Sequence, residues 1–118
     1  MTLQIPRADW ASELQAITRR NTGRTTVIEE YDQEMGPLDV ENDYPLLGVS
    51  YDRRDDRVDI MLGDLADPKR HFTHSVGNVL FIELAIDDAG ADESLRILRR
   101  DGAETVLGFR HAPSCICK

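Results

Sequence analysis

The hydrophobic period of this sequence changes once, and that change limits the fold more than any other feature. Trp10, Leu14 and Ile17 recur at the spacing of one face of an α-helix. The Asn-Thr-Gly run at residues 21–23 then provides residues that tolerate the left-handed conformation in which helices commonly end. From residue 25 onward the period is close to two, which predicts strands. We therefore expect one helix followed by a β-rich remainder.

The β-rich remainder divides into strands at its turn residues. The alternating or β-branched runs that we predict to be strands are residues 25–31, 47–51, 58–62, 71–76, 79–86, 95–97 and 106–109. Short polar turns join them at residues 53–56, 77–78 and 101–102. Two stretches lack a firm period and are predicted to be loops, namely residues 38–45, with a short edge strand at 38–41 as the alternative, and residues 63–69.

These segments predict an α+β fold that is mainly β. An N-terminal helix packs on a curled or partly closed antiparallel meander of six to seven strands, because the strands are joined by short local turns and no βαβ alternation occurs. Residues 79–86 are the most apolar run of the sequence, so we expect them near the centre of the sheet. Residues 1–110 are predicted to form a single domain, and residues 111–118 a flexible tail.

The net charge of −8 is unevenly distributed along the sequence. Twelve acidic residues and only three arginines lie between Glu29 and Asp64. Such a segment repels phosphate groups, which argues against nucleic-acid and anionic-membrane partners. Two interpretations remain open: a solubilising surface, or an acidic docking face for a basic partner or a cation. The candidate interaction residues are Trp10, Asp52, Asp55, Asp56 and Asp59.

The sequence also predicts a location. No run approaches the roughly 18 apolar residues needed to cross a membrane, and the N-terminal segment lacks the pattern of a secretory signal. The two cysteines lie one residue apart and offer no disulfide framework. We therefore expect a cytoplasmic protein.

Four residues are weak candidates for metal ligands. His71 and His74 lie three positions apart, so on a strand they point to opposite faces, and only on a turn would they converge on one ion. Cys115 and Cys117 are soft ligands, but they provide only two of the about four that a closed zinc site needs. His111 or another polypeptide would have to complete such a site, so an incidental tail is the simpler interpretation.

No sequence motif indicates a cofactor or a catalytic residue. A glycine-rich phosphate loop, a dinucleotide fingerprint and a nucleophile elbow are all missing from the sequence. The seven aromatic residues do not alternate with basic ones, as they do in proteins that stack on single-stranded nucleic acid. We expect no cofactor, and the catalytic residues, if there are any, remain unassigned.

Short motifs spread along the sequence resemble a small bacterial family of uncharacterised proteins, one of the domain-of-unknown-function families. The resemblance covers residues 5 to about 110, and the matching residues are Ile5-Pro6-Arg7 with Trp10, Val27 with Glu29, Pro45-Leu46 with Gly48, Ile60 with Leu62-Gly63-Asp64, Thr73-His74, and Gly90-Ala91-Asp92-Glu93 with Asp101-Gly102. The resemblance implies no activity, cofactor or catalytic residue. Cys115 and Cys117 lie outside it.

Two functional hypotheses follow from the sequence. The leading one is a non-enzymatic binding or protein-interaction module that recognises a protein partner or self-associates through sheet edges or the helix. The alternative is a small enzyme or metal-binding protein that uses His71 and His74 with nearby acidic residues.

Overall fold

One α-helix and one antiparallel sheet account for the described part of the protein. The computed structural model describes residues 1–32, 36–64 and 66–110. A 3₁₀ turn (Arg7–Asp9) leads into helix α1 (Trp10–Asn21). The eight strands are β1 (Thr2–Ile5), β2 (Thr25–Asp32), β3 (Gly36–Asp52), β4 (Arg57–Asp64), β5 (Asp67–Gly77), β6 (Val79–Ile86), β7 (Asp92–Arg99) and β8 (Glu104–Phe109).

The strands form a single open sheet in the order β1-β6-β7-β8-β2-β3-β4-β5. All neighbouring strands are antiparallel. The predicted class, α+β and mainly β with an N-terminal helix on a curled antiparallel sheet, is confirmed. Two runs, β2 to β5 and β6 to β8, follow one another in sequence order as a meander does. The count is eight because the segment before Pro6, which carries no sequence signal, adds β1 beside β6.

The predicted central position of residues 79–86 is wrong. They form β6, which lies second from one edge, between β1 and β7. Strand β6 does have a neighbouring strand on each side, which explains why its residues are so apolar. The preceding strand, β5, lies at the opposite edge, and only Asn78 separates the two strands in sequence. Because one residue joins a strand at one edge to a strand near the other, the sheet must curl until these two places meet.

Asn78 makes that connection with an unusual backbone conformation. Its φ is +52°, a left-handed value that Asn tolerates better than most residues. Its C=O accepts a hydrogen bond from the N–H of Arg100, at 2.9 Å, in the turn between β7 and β8. The predicted tight turn at residues 77–78 therefore exists, but it redirects the backbone across the curl instead of pairing β5 with β6.

Two predicted loops are largely strand. Residues 38–45 lie within β3, which is 17 residues long and pairs with β2 as far as Pro45. Its register with β2 shifts at two bulges, which is why no clean alternation shows in the sequence. Residues 63–69 include the end of β4 and the start of β5, where Asp64 pairs with Asp67. The loop predictions were wrong, whereas the alternative of a strand at residues 38–41 holds in so far as these residues belong to β3, which has a neighbour in β2.

The core lies inside the curl, under the helix. Trp10, Leu14 and Ile17 are almost fully buried, as their spacing predicted. They meet the inward faces of the strands, where the largest fully buried side chains are Ile28, Leu46, Val58, Ile60, Leu62, Ile82, Leu95, Ile97 and Leu107. The helix packs mainly on β3. No helix among the described residues has the length and apolar character required to cross a bilayer.

A buried carboxylate attaches the end of α1 to the start of β7. Asp92 is 5% exposed and accepts hydrogen bonds from Arg20 Nε at 2.9 Å and from Asn21 Nδ2 at 2.6 Å. Arg24 donates to the C=O of Asp92 and to Oδ1 of Asn21, both at 2.9 Å. Gly23, at φ +90°, ends the helix as predicted. These bonds fix the helix axis relative to the sheet.

Replacing Asp92 by Ala is expected to lower the free energy of unfolding by about 2 kcal/mol, because the buried amide of Asn21 loses an acceptor. Urea denaturation followed by circular dichroism measures this change. Asp88→Ala, at an exposed neighbouring position, is the control and should stay within about 0.5 kcal/mol of the parent. Equal effects of the two substitutions would contradict the structural role of Asp92.

Candidate functional site

The edge of β3 changes partner halfway along the strand. Its first half pairs with β2, which ends its pairing opposite Pro45. Beyond that point helix α1 takes the place of β2. Leu46 exchanges main-chain hydrogen bonds of 2.8 Å with Gly23 and Arg24, just after the helix. The Thr18 hydroxyl then accepts from the N–H of Val49 at 2.9 Å, and its single hydrogen is shared between the C=O groups of Val49 and Leu14, each 2.9 Å from the hydroxyl oxygen. A helical side chain thus replaces a neighbouring strand.

An open groove of about 570 Å³ lies between α1 and this part of β3. Its residues share short or uncharged side chains, and they are Ala11, Ser12, Gln15 and Thr18 from the helix, Leu47, Gly48, Val49, Ser50 and Tyr51 from β3, and Met61 from β4. Most of the exposed lining is apolar. A Cβ atom on Gly48 would lie 3.4 Å from both the Met61 methyl and the Thr18 methyl, so Gly at this position keeps the floor of the groove low.

Main-chain groups also face the groove. The N–H and C=O of Val49 point toward the helix, where Thr18 binds them. In an antiparallel ladder the groups of alternate residues point to the same side, so those of Tyr51 point the same way. Here an extended ligand would find one donor and one acceptor beside an apolar surface.

Tyr51 is the one titratable side chain in the groove lining, and it is already engaged. Its ring stands edge-on to Trp10 at a centroid distance of 5.1 Å, and its hydroxyl donates to Asp56 Oδ1 at 2.7 Å. Burial of the hydroxyl, followed by the hydrogen bond and charge of Asp56, raises the pKa of Tyr51 above its ordinary 10.0, and the nearby Arg7 and Arg53 oppose this. The hydroxyl therefore stays neutral and is no base at neutral pH.

The acidic candidates at the β3–β4 turn are paired with arginines. Asp56 contacts Arg7 at 3.0 Å and Arg100 at 3.5 Å. Arg57 lies within 4.0 Å of three carboxylates, those of Asp52, Asp55 and Asp59. We call this region the arginine corner: Arg7, Arg53, Arg54, Arg57 and Arg100 with Asp52, Asp55, Asp56 and Asp59. Because Arg7 and Arg100 come from outside the acidic segment, five arginines outnumber four aspartates, and the arginine corner carries no net negative charge.

Trp10 lies in the core and not on the surface. Its side chain is 1% exposed, its Nε1 donates to the C=O of Ile5 at 2.9 Å, and the Arg7 guanidinium stacks over its ring at 4.5 Å. Trp10 therefore supports the groove from behind, through the contact of its ring with Tyr51.

His71 and His74 both lie in β5, three positions apart and thus on opposite faces. His71 is exposed, whereas His74 is half-buried, with Nε2 2.8 Å from Glu30 Oε1. The same Glu30 oxygen accepts from the Thr105 hydroxyl at 3.4 Å. The pair links edge strand β5 to β2 and β8 across the curl. Among the described residues no group of three or more His, Cys, Asp or Glu side chains could hold a metal ion.

A small polar cavity of about 150 Å³ lies beside Glu30. Its lining includes Asp32, Arg99, Asp101, Glu104 and Thr105. Arg99 pairs with Asp101 at 3.0 Å, and Glu104 pairs with Arg96. Two carboxylates of the cavity are thus already paired with arginines of the protein. His111, Cys115 and Cys117 lie outside the described residues.

Sequence reasoning missed the groove, because its residues carry no distinctive chemistry. Gln15, Thr18 and Ser50 match no motif, and Gly48 belongs only to the short motifs that resemble the family. One signal was present: the strand alternates Leu47, Val49 and Tyr51 with the small Gly48 and Ser50, and the helix carries Ala11 and Ser12 outside its apolar stripe. Short side chains on two neighbouring elements predict a depression between them.

Comparison with known proteins identifies the family but no characterised relative. A model of DUF5335, a family of unknown function, matches residues 1–115 of the 118 residues. The protein belongs to the DUF5335 family. The resemblance to a domain-of-unknown-function family, which the sequence motifs indicated, is confirmed. No curated protein and no solved structure matches this DUF5335 protein.

In the DUF5335 protein, Thr18→Val is expected to lower the free energy of unfolding by about 1–3 kcal/mol, because both main-chain groups of Val49 lose their partner while side-chain volume is kept. Urea denaturation measures the loss. Thr22→Val removes a hydroxyl that is exposed and bonds only within the helix, so a change within about 0.5 kcal/mol is expected. An unchanged free energy of unfolding in Thr18→Val would show that the position of the helix does not depend on this bond.

The raised pKa of Tyr51 predicts a stability loss in alkali. Its contribution is complete below pH 10.0, the ordinary value, and is lost as the pH rises through the higher folded-state value. Ultraviolet absorbance of phenolate is compared between the parent and Tyr51→Phe, and the titration that the variant lacks should lie above the ordinary value of 10.0. A titration of Tyr51 at its ordinary value would refute the buried hydrogen bond to Asp56.

Proposed function

We propose that this protein is a non-enzymatic protein-interaction module and that the α1–β3 groove is its binding surface. The observation that carries the proposal is the chemistry of the groove lining. It is apolar, it is open to an extended ligand, and its one titratable group, Tyr51, is held neutral by Asp56. The hydroxyl of Ser12 donates to the backbone carbonyl of Asp9, so it has no base to activate it. Such a surface can bind, but it offers no group for catalysis.

The groove suits a short extended segment with an apolar anchor. Leu47 and Met61, both partly exposed, supply apolar contact, and burial of apolar area contributes about 25 cal/mol per Å² before the costs of association. The N–H and C=O of Tyr51 offer backbone hydrogen bonds, as in strand addition to a sheet edge. Gln15 and Ser50, both exposed, provide a polar rim.

The alternative function, a small enzyme or metal-binding protein, has less support. His74 and Glu30 form a hydrogen-bonded pair, but Glu30 also binds Thr105, and His71 lies on the other face of β5. The pair joins three strands and so has a structural role. We also propose a cytoplasmic location and a bacterial source, both of which the sequence led us to expect.

Site-specific photo-cross-linking tests the groove. A benzophenone amino acid at Gln15, which lines the groove, is expected to give covalent protein adducts in cells of the source organism. The matched control places the same group at Glu13, which is exposed on the same helix but does not line the groove. Adducts at Gln15 should fall at least about tenfold when Ser50→Trp fills the groove, since its bulk displaces an anchor.

Two results would overturn the proposal. One is equal labelling from Gln15 and Glu13, because contact with a bound segment must favour the groove. The other is labelling at Gln15 that persists in the Ser50→Trp variant. Circular dichroism of each variant confirms that the fold is retained.

A further inference from the structure

The α1–β3 groove has an uncharged lining and two distinct ends. Every described residue that lines it is uncharged at neutral pH. Helix α1 and β3 run in opposite directions along the groove, because Trp10, in the first turn of the helix, contacts Tyr51, whereas Gly23, just past the last turn, bonds to Leu46. We therefore distinguish a Tyr51 end and a Leu47 end of the groove.

Two arginines lie at the Tyr51 end. Arg53 and Arg54 belong to the β3–β4 turn, two and three residues after Tyr51, and both are exposed. Burial and Asp56 raise the pKa of Tyr51, whereas the charge of Arg53 acts to lower it, so the Arg53 guanidinium lies near the groove. Among the described residues neither arginine has a carboxylate partner, and the four aspartates of the arginine corner all contact other arginines.

A third arginine lies at the Leu47 end. Arg19 follows the lining residue Gln15 by four positions, which places it one turn further along the same flank of the helix. Arg19 is exposed and has no carboxylate partner within the described part of the chain, whereas the adjacent Arg20 is paired with Asp92. The groove is thus an uncharged, largely apolar surface with guanidinium groups beyond both of its ends.

The length of the groove limits what can lie between these guanidinium groups. From Leu47 to Tyr51 the strand advances by about 13 Å, at about 3.3 Å per residue. From Ala11 to Thr18 the helix advances by about 10 Å, at about 1.5 Å per residue. About four residues of an extended segment match this length. Gly48 keeps the floor low between the two ends, where two methyl groups lie 3.4 Å from the position of its missing Cβ atom. An apolar side chain of the segment fits at that point.

We propose that the partner of the α1–β3 groove is an acidic protein segment, with an apolar side chain at its centre and a carboxylate group beyond each end of the groove. The inference rests on the proposed function and adds the chemical class of the partner. The apolar side chain lies over Gly48, and the segment backbone bonds to Tyr51. One carboxylate meets Arg19, and the other meets Arg53 and Arg54. A lysine or arginine at either position would face like charges, so the two ends select against basic segments.

Selection from a peptide library tests this chemistry. Phage that display random peptides, long enough to extend past both ends of the groove, are selected at low ionic strength on the immobilised full-length protein. Peptides that require the groove are those that bind the parent but not Ser50→Trp, in which the groove is filled. These peptides are expected to share a large apolar residue with Asp or Glu on both sides of it, and to lack Lys and Arg at the same positions.

Removal of charge from the protein identifies the contacts. For a synthetic peptide from that selection, Arg53→Gln with Arg54→Gln should raise the dissociation constant by about threefold or more at low salt, and Arg19→Gln by about twofold, because each variant loses a partly solvated attraction. Fluorescence anisotropy of the labelled peptide measures this constant. Gln4→Glu with Ala89→Glu changes the net charge by the same amount as the double arginine variant, at exposed positions outside the groove, and should bind the peptide like the parent.

The outcomes separate this inference from the proposed function. Groove-dependent peptides without acidic residues overturn the acidic partner but leave the groove as a binding surface, and so does a peptide that binds the arginine variants as tightly as the parent. A single-stranded oligonucleotide that displaces the peptide would indicate recognition of any polyanion and also overturns the inference. A selection that yields no groove-dependent peptide overturns it as well, and if Gln15 and Glu13 also label equally, the proposed function fails with it.

Discussion

The need to satisfy the edge of β3 determines how the rest of the molecule is arranged. β3 is longer than the strands beside it, and past Pro45 its N–H and C=O groups face a space without a strand. Buried main-chain groups without partners are costly, so something must supply donors and acceptors there. The residues after α1 bind Leu46, and the Thr18 hydroxyl binds both groups of Val49. The helix is held where hydrogen bonding requires it.

The position of the helix then decides both the core and the groove. With Thr18 beside Val49, the stripe of Trp10, Leu14 and Ile17 faces the interior of the curled sheet, and Asp92 fixes the other end of the axis. Beside this contact, Ala11, Ser12 and Gln15 of the helix lie along β3 and line the groove. The groove is a consequence of the same contact that attaches the helix.

Local patterns predicted the helix and its buried face, the hairpin of β3 with β4 and the hairpin of β7 with β8, because each is defined by residues close in sequence. The extent of β3 and the place of β6 in the sheet could not be predicted in this way. Bulges interrupt the alternation of β3, and nothing near Asn78 shows that the backbone crosses the curl there. The site was harder still. Asp52, Asp55, Asp56 and Asp59 were chosen for their charge, yet Arg7, 49 residues from Asp56 in sequence, helps to neutralise that cluster.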